Sequence, residues 1–442
     1  MKAQLRKTPS ARQLAVDALI DVERGGDFSQ KAVQRQARAL DERDRRFLRE
    51  LVYGVLENRM YLDYLIDRVS SRPVSSMQPL LRSALRTGAF ELFFLHTPTH
   101  AAVNEAVSVV RRRLPQAGGF ANAILRALDR KRDQLALPAE LDAMDRISLR
   151  YSHPRWILET LRSRYPEEQL EELAKQNNTP APLCLFALPQ KGSREEVCSE
   201  LREEGIETKE SEMSRYALVV QGGTVTESRA FREGRVTVQS PPSICAAEAA
   251  VSADAGHVLD LCAAPGSKSC VMASLMPQAR IVANDLQEKK RQSIEENLRR
   301  MRLTNVVTTV RDATVFHEDW ERAFDVVLVD APCSGLGLLR RKPDIRWNRR
   351  AEDIAALAEL QRSILTNAIR YVRPGGRLVY STCTLTKEEN EDQALWLEEH
   401  TGWSKEPFRG RMERCFSPLE DNCDGFYVVR FRAGEEAQCS EH

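Results

Sequence analysis

Val258-Leu259-Asp260-Leu261-Cys262-Ala263-Ala264-Pro265-Gly266-Ser267-Lys268 is the stretch that decides how this chain is read. An apolar run stops, a turn of small residues follows, and a helix-compatible stretch begins. That is the strand-turn-helix opening of an open α/β sheet, whose ligands lie beyond the carboxyl ends of the strands. Small side chains let backbone approach a ligand closely. The turn is not a phosphate loop, because the Gly-x-x-x-x-Gly-Lys-Ser/Thr spacing is missing, and it lacks the full Gly-x-Gly-x-x-Gly dinucleotide pattern.

Outward from this turn, short apolar runs recur: Arg280 to Ala283, Val306 to Val310, Val326 to Val329, Arg377 to Tyr380 and a last run from Phe426 to Phe431. Helical stretches, Lys289 to Met301 and Ile354 to Tyr371, separate them. The alternation predicts a Rossmann-like α/β domain over 236–432 with a parallel, doubly wound sheet. Asp285, Asp312 and Asp330 close successive runs. Asp285 stands where an acidic residue takes ribose hydroxyls, and Asp312 where one accepts from an adenine amino group. A lone aspartate there reads as readily as a helix cap. Three in succession fit an adenosine cofactor without phosphates, S-adenosylmethionine, held against Cys262, Ala263, Ala264, Pro265, Gly266, Ser267 and Lys268.

Cys333, in Asp330-Ala331-Pro332-Cys333-Ser334-Gly335, and Cys383, in Tyr380-Ser381-Thr382-Cys383-Thr384, each fall where an apolar run stops. Two thiols at the ligand edge of a sheet point to covalent chemistry. Cytosine C5 is a poor nucleophile until a thiolate adds to C6, after which C5 takes a methyl group from a sulfonium. Such a thiolate needs an electropositive pocket, to which Lys268 contributes. Asp330 is placed to offset charge at cytosine N3. The plainer alternative, a small buried apolar thiol, describes Cys262 and Cys270 well.

All ten cysteines lie at or after Cys184, and no Cys-x-x-Cys pair occurs, so no metal is expected. No run approaches a membrane span, and the basic start, Met1 to Lys7, leads into no apolar signal segment. A cytoplasmic chain with reduced thiols is expected.

The 442 residues carry a net charge of +1 that hides an asymmetry. Residues 1–140 hold 24 Lys+Arg and 16 Asp+Glu, a balance of +8, and the remainder carries −7. That segment reads as all-helical, with Leu14, Ala18 and Val22 on one stripe and Leu48, Leu51, Val52, Val55 and Leu56 on another. Its charge suits a polyanion as well as it suits a solvated helical surface. Residues 141–235 read as a small helical and α+β connecting domain, with a β-α-β pattern through Leu183 to Ala187, Glu195 to Glu204 and Ala217 to Val220. A polar tail is expected over 433–442.

The two cysteine motifs, Ala263 to Lys268, Arg340-Arg341-Lys342-Pro343-Asp344-Ile345-Arg346-Trp347 and Glu388-Glu389-Asn390-Glu391 resemble the NOL1/NOP2/Sun (Fmu) family of RNA cytosine-C5 methyltransferases. The resemblance implies Cys383 as nucleophile, Cys333 as the thiol that assists release, and Lys268 and Asp330 near the target base. Leu81 to Phe94, Val103 to Ala106 and Phe120 to Leu125 resemble NusB, an RNA-binding factor. A NusB-like domain joined to this catalytic domain is similar to bacterial enzymes that methylate 16S ribosomal RNA, free or in a partly assembled small subunit. Two departures from the family pattern are Ser267 in place of a second glycine and Gln239-Ser240-Pro241-Pro242 before a helix. Both bear on cofactor affinity.

Basic residues beside an active site hold phosphates, and an aromatic stacks on a base. Arg340, Arg341, Lys342 and Arg346, with Trp347, are therefore candidate RNA contacts. A charged solvated loop with Trp347 in the core is the competing reading. The target cytosine is expected to be unpaired or easily flipped, and the chain monomeric. Alternatives are the same reaction on transfer RNA or another ribosomal site, and a non-catalytic RNA-binding assembly factor.

Overall fold

The computed structural model describes residues 9–25, 28–38 and 40–435. The basic start, Met1 to Lys7, and residues 436–442 of the expected polar tail lie outside the described residues. The chain divides into two compact units, 1–179 with 339–349, and 180–338 with 350–442.

The first unit is helical: α1 (Ala11–Glu23), α2 (Ser29–Ala37), α3 (Glu42–Glu57), α4 (Arg59–Asp67), α5 (Pro79–Phe93), α6 (Thr99–Arg113), α7 (Gly118–Arg130), α8 (Ala143–Tyr151), α9 (Arg155–Leu161) and α10 (Glu167–Gln176). Ser10, Asp41 and Asp142 cap α1, α3 and α8 by accepting from backbone amides three residues on. Both apolar stripes face the core, with Leu48, Leu51 and Val52 fully buried. The bundle continues past residue 140. The Ser152 hydroxyl accepts from Tyr61 N at 3.2 Å, Asn178 Nδ2 donates to Tyr151 O at 3.0 Å, and Ile157, Leu158 and Leu161 are buried.

The second unit begins with a small antiparallel sheet of β1 (Leu183–Ala187), β2 (Thr208–Glu210), β3 (Ala217–Val220) and β4 (Val236–Val238), in the order β2-β3-β1-β4. With helices Arg194–Glu203 and Arg229–Arg232 it is a β-α-β-β-α-β unit, more than the single β-α-β expected.

The larger sheet holds β5 (His257–Asp260), β6 (Arg280–Asp285), β7 (Val306–Val310), β8 (Phe324–Asp330), β9 (Val372–Thr382), β10 (Ser404–Lys405), β11 (Glu413–Phe416) and β12 (Phe426–Arg432). Its order is β10-β12-β9-β8-β5-β6-β7, with β11 beside β12. Strands β5 to β9 pair in parallel, so β5 and β8 are neighbours although β6 and β7 intervene in the chain. The winding direction reverses there, opening a crevice at the strand ends. The sheet is not wholly parallel, as expected from the sequence, because β12 runs antiparallel to β9, β10 and β11. An antiparallel neighbour needs only a short return, which segment 417–425 provides between β11 and β12, whereas a parallel one needs a long crossover.

The segment 339–349 belongs with the helical unit although its chain neighbours do not. Arg346 is 1% exposed. Its Nη1 donates to Glu57 O at 3.1 Å and Ser152 O at 3.3 Å, and its Nη2 to Asn177 O at 3.3 Å and Asn178 Oδ1 at 2.7 Å. Arg346 therefore does not hold a phosphate as expected; its guanidinium is consumed by carbonyls at the ends of helices, which are natural cation sites. Trp347 packs on the helical core and donates to Leu56 O at 3.0 Å, so it is not a base-stacking platform. Arg340 Nε donates to Thr179 O at 3.1 Å. Lys342 is exposed.

Candidate active site

The turn after β5 forms because Gly266 has φ of +93° and caps helix Ser267–Leu275. A Cβ there would also meet Ile294 Cγ2 at 2.9 Å, so only glycine fits. Ala263 N donates to Asn284 O at 2.7 Å, and Asn297 Nδ2 to Pro265 O at 3.0 Å. Ser267, partly exposed, opens the helix, and Cys262 and Cys270 pack in the cores on either side, their thiols pushed up by burial.

Asp285, at the end of β6, accepts from Ala264 N through Oδ2 at 3.2 Å and meets Lys290 Nζ through Oδ1 at 3.2 Å. Asp312 lies exposed beyond β7, and its Oδ1 accepts from Thr314 N at 2.9 Å and from the Thr314 hydroxyl at 2.7 Å, which lowers its carboxyl pKa. Asp260 is buried under the turn, accepts from the Ser269 hydroxyl at 2.6 Å, and is pushed up to about 7 by burial.

Lys268 reaches from the helix to Asp330 at the end of β8, with Nζ–Oδ2 at 2.6 Å. The Ser381 hydroxyl donates to the other Asp330 oxygen at 2.8 Å. Burial alone would lower the Lys268 ammonium, but the Asp330 carboxylate more than offsets this and raises it. The lysine of the turn is thus committed to a carboxylate, which disfavours phosphate. The Asp285 carboxylate, which also accepts from Ala264 N of the turn, favours a cation at this edge. This donor set fits a sulfonium-bearing adenosine cofactor.

Cys333 and Cys383 meet with their sulfurs 3.2 Å apart. Two backbone features bring them together. Asp330 pairs with Ser381 in register on β8 and β9, so both chains leave the sheet side by side. Gly337 N then donates to Cys383 O at 3.1 Å, and Gly425 N to Gly337 O at 2.8 Å. A Cβ on Gly337 would lie 2.0 Å from Gly425 O, so this approach admits glycine alone.

Below the thiols is a polar knot that sequence reasoning did not find. Glu389 and Asn390 are fully buried. Glu389 accepts from Ser334 N at 2.8 Å and Thr386 Oγ1 at 2.8 Å, and Asn390 Nδ2 donates to Thr384 O at 3.1 Å. Gln361 Nε2 donates both to Glu389 Oε1 and to Pro332 O, each at 3.0 Å. Glu388-Glu389-Asn390-Glu391 stood out as a motif, but a run this acidic reads as solvent-facing and carries no periodic signal of burial.

Within the helical unit, Arg340 and Arg346 donate to backbone carbonyls of Thr179, Glu57 and Asn177. Among the described residues no group of three or more His, Cys, Asp or Glu is arranged to hold a metal ion, and no helix is long and apolar enough to cross a membrane.

Three family models match the chain: NusB over residues 9–130, a ferredoxin-like domain of RsmF/B-like methyltransferases over 153–226, and the 16S rRNA methyltransferase RsmB/F over 250–432. A ribosomal RNA small subunit methyltransferase B from Vibrio cholerae is 35% identical over 95% of this chain and 96% of its own length. A probable ribosomal RNA small subunit methyltransferase B from Bacillus subtilis is 33% identical over 96% of this chain and 99% of its own. The crystal structure of PH0851 superposes with a TM-score of 0.80 at 26% identity, covering 96% of this chain and 99% of that one.

Proposed function

The chain belongs to the 16S rRNA methyltransferase RsmB/F family, and from that premise we propose that it methylates C5 of a cytosine in 16S ribosomal RNA through a covalent bond to Cys383. The observation that carries this reading is the contact of two thiols, 3.2 Å apart, beside the Lys268–Asp330 pair.

S-Adenosylmethionine, when bound, supplies an electrophilic methyl group. Cys262 to Lys268 would line it, Asp285 would take its ribose hydroxyls, and Asp312 its adenine amino group. Cys383 adds through sulfur to cytosine C6, and the ring electrons shift towards C5. The Lys268–Asp330 pair faces N3 and offsets the charge that builds there. Once C5 is methylated its proton leaves, the C6–sulfur bond breaks and Cys383 is regenerated, with Cys333 assisting. Arg341 and Lys342 would meet RNA phosphates from the helical unit. We place the reaction in the cytoplasm, on RNA free or in a partly assembled small subunit, with the chain acting as a monomer.

The direct test supplies methyl-labelled cofactor and unmodified small-subunit RNA, followed by digestion to nucleosides. Labelled 5-methylcytidine is expected. Label on transfer RNA alone would move the substrate, and no label on any RNA would sink the enzyme reading.

Cys333→Ala is expected to accumulate a covalent protein–RNA adduct on denaturing gels. A variant that turns over normally with no adduct would remove Cys333 from release. Asp285→Ala is expected to weaken cofactor binding by about 10- to 100-fold, the scale of a lost charge-assisted hydrogen bond. Unchanged affinity by calorimetry would take Asp285 out of the ribose site.

A further inference from the structure

Two touching thiols with one nucleophile pose a question of selection. The site is electrostatically lopsided. On the Cys333 side, Glu389 accepts four hydrogen bonds: Oε1 from Ser334 N at 2.8 Å and Gln361 Nε2 at 3.0 Å, and Oε2 from Ser334 Oγ at 2.5 Å and Thr386 Oγ1 at 2.8 Å. Both of its oxygens serve as acceptors, as a carboxylate's do. All four donors are neutral, so the field of this fully buried anion is not cancelled by them. Ser334 is the chain neighbour of Cys333, and Gln361 also holds Pro332 O, on its other side, at 3.0 Å. On the Cys383 side, Lys268 pairs with Asp330 at 2.6 Å, and Asp330 lies in register with Ser381, two residues before Cys383.

Resting on the cysteine chemistry above, we infer that Glu389 keeps the proton on Cys333, so that Cys333 donates to the Cys383 sulfur and only Cys383 attacks. Glu389 is in this sense a positioning residue: it acts on the reacting base through Cys333. The groups facing Cys333 agree. Its hydrogen bond to Cys383, then burial, then the charges of Cys383 and Glu389 all push the thiol well above its usual range. Tyr380, whose hydroxyl donates to Glu389 O at 2.7 Å, adds no cation.

The same arrangement accounts for release. As the C6–sulfur bond breaks, its electron pair goes to Cys383, where the Cys333 S–H donates to the forming thiolate. The C5–H pair becomes the C5=C6 double bond, and the proton passes to solvent water or hydroxide. A thiolate without that donor is a poorer leaving group.

The test uses the full-length chain without RNA or cofactor, so its failure is distinct from a failure of the methylation assay. Iodoacetamide labelling across pH, resolved by peptide mass spectrometry, reads each thiol separately. In wild type, Cys383 is expected to react at lower pH than Cys333. In a Cys383→Ser background, Glu389→Gln is expected to move the Cys333 profile to lower pH, since a nearby like charge disfavours the thiolate. Ser334→Ala removes a hydrogen bond but keeps the charge, and is expected to leave the profile in place. Should Glu389→Gln fail to fold, Gln361→Lys sets a cation against the same carboxylate and is expected to shift Cys333 downward as well. Cys333 reacting before Cys383 in wild type, or no shift in the folded charge variants, overturns the inference.

Discussion

Cys383→Ala is expected to abolish methyl transfer, a loss on the order of 10⁶-fold as for other covalent nucleophiles, while cofactor affinity stays as in wild type. The argument is geometric. Cys383 follows directly from β9, and its backbone is held from outside by Gly337 N. Removing one sulfur leaves that bond, the Lys268–Asp330 pair and the cofactor turn intact. No neighbour substitutes, because Cys333 holds its proton. Labelled-methyl transfer and calorimetric cofactor binding should therefore separate cleanly. Loss of both would make Cys383 a structural thiol, and substantial residual transfer would pass the nucleophilic role to Cys333.

Arg346→Met is expected to destabilise the helical unit by about 3–5 kcal/mol, the range for removing one partner of a buried charged network. The apolar stem is roughly replaced, so the loss falls on the carbonyls of Glu57, Ser152 and Asn177, which keep no guanidinium to satisfy them. Glu57, pushed up to about 7 by burial that Arg346 only partly offsets, loses the influence of that cation as well. Denaturant unfolding of wild type and variant reads the effect. Unchanged stability with weakened RNA binding would return Arg346 to the RNA surface.

Much of the site is legible in the sequence. The turn from Cys262 to Lys268, the acidic strand ends and both cysteines lie in contiguous motifs, and strand ends in an open α/β sheet converge on one edge. The helical front unit is legible from its 3.6-residue stripes. What misleads is charge. Arg346 and Glu389 carry the side chains most often found in water, so a basic run beside Cys333 reads as a phosphate contact and an acidic run as surface.

The sequence by itself determined the helical front unit, the alternation of strands and helices in the larger sheet, and the contiguous motifs that carry the turn and the two thiols, because each depends on residues within a few positions of one another. Tertiary structure alone decided that β12 runs antiparallel, that the thiols sit 3.2 Å apart, and that Arg346 and Glu389 are buried. Arg346 meets Glu57 across 289 residues, and Glu389 meets Ser334 across 55. Whether a charged group faces water or a ring of buried donors and carbonyls is set by such distant partners, and no local pattern encodes them.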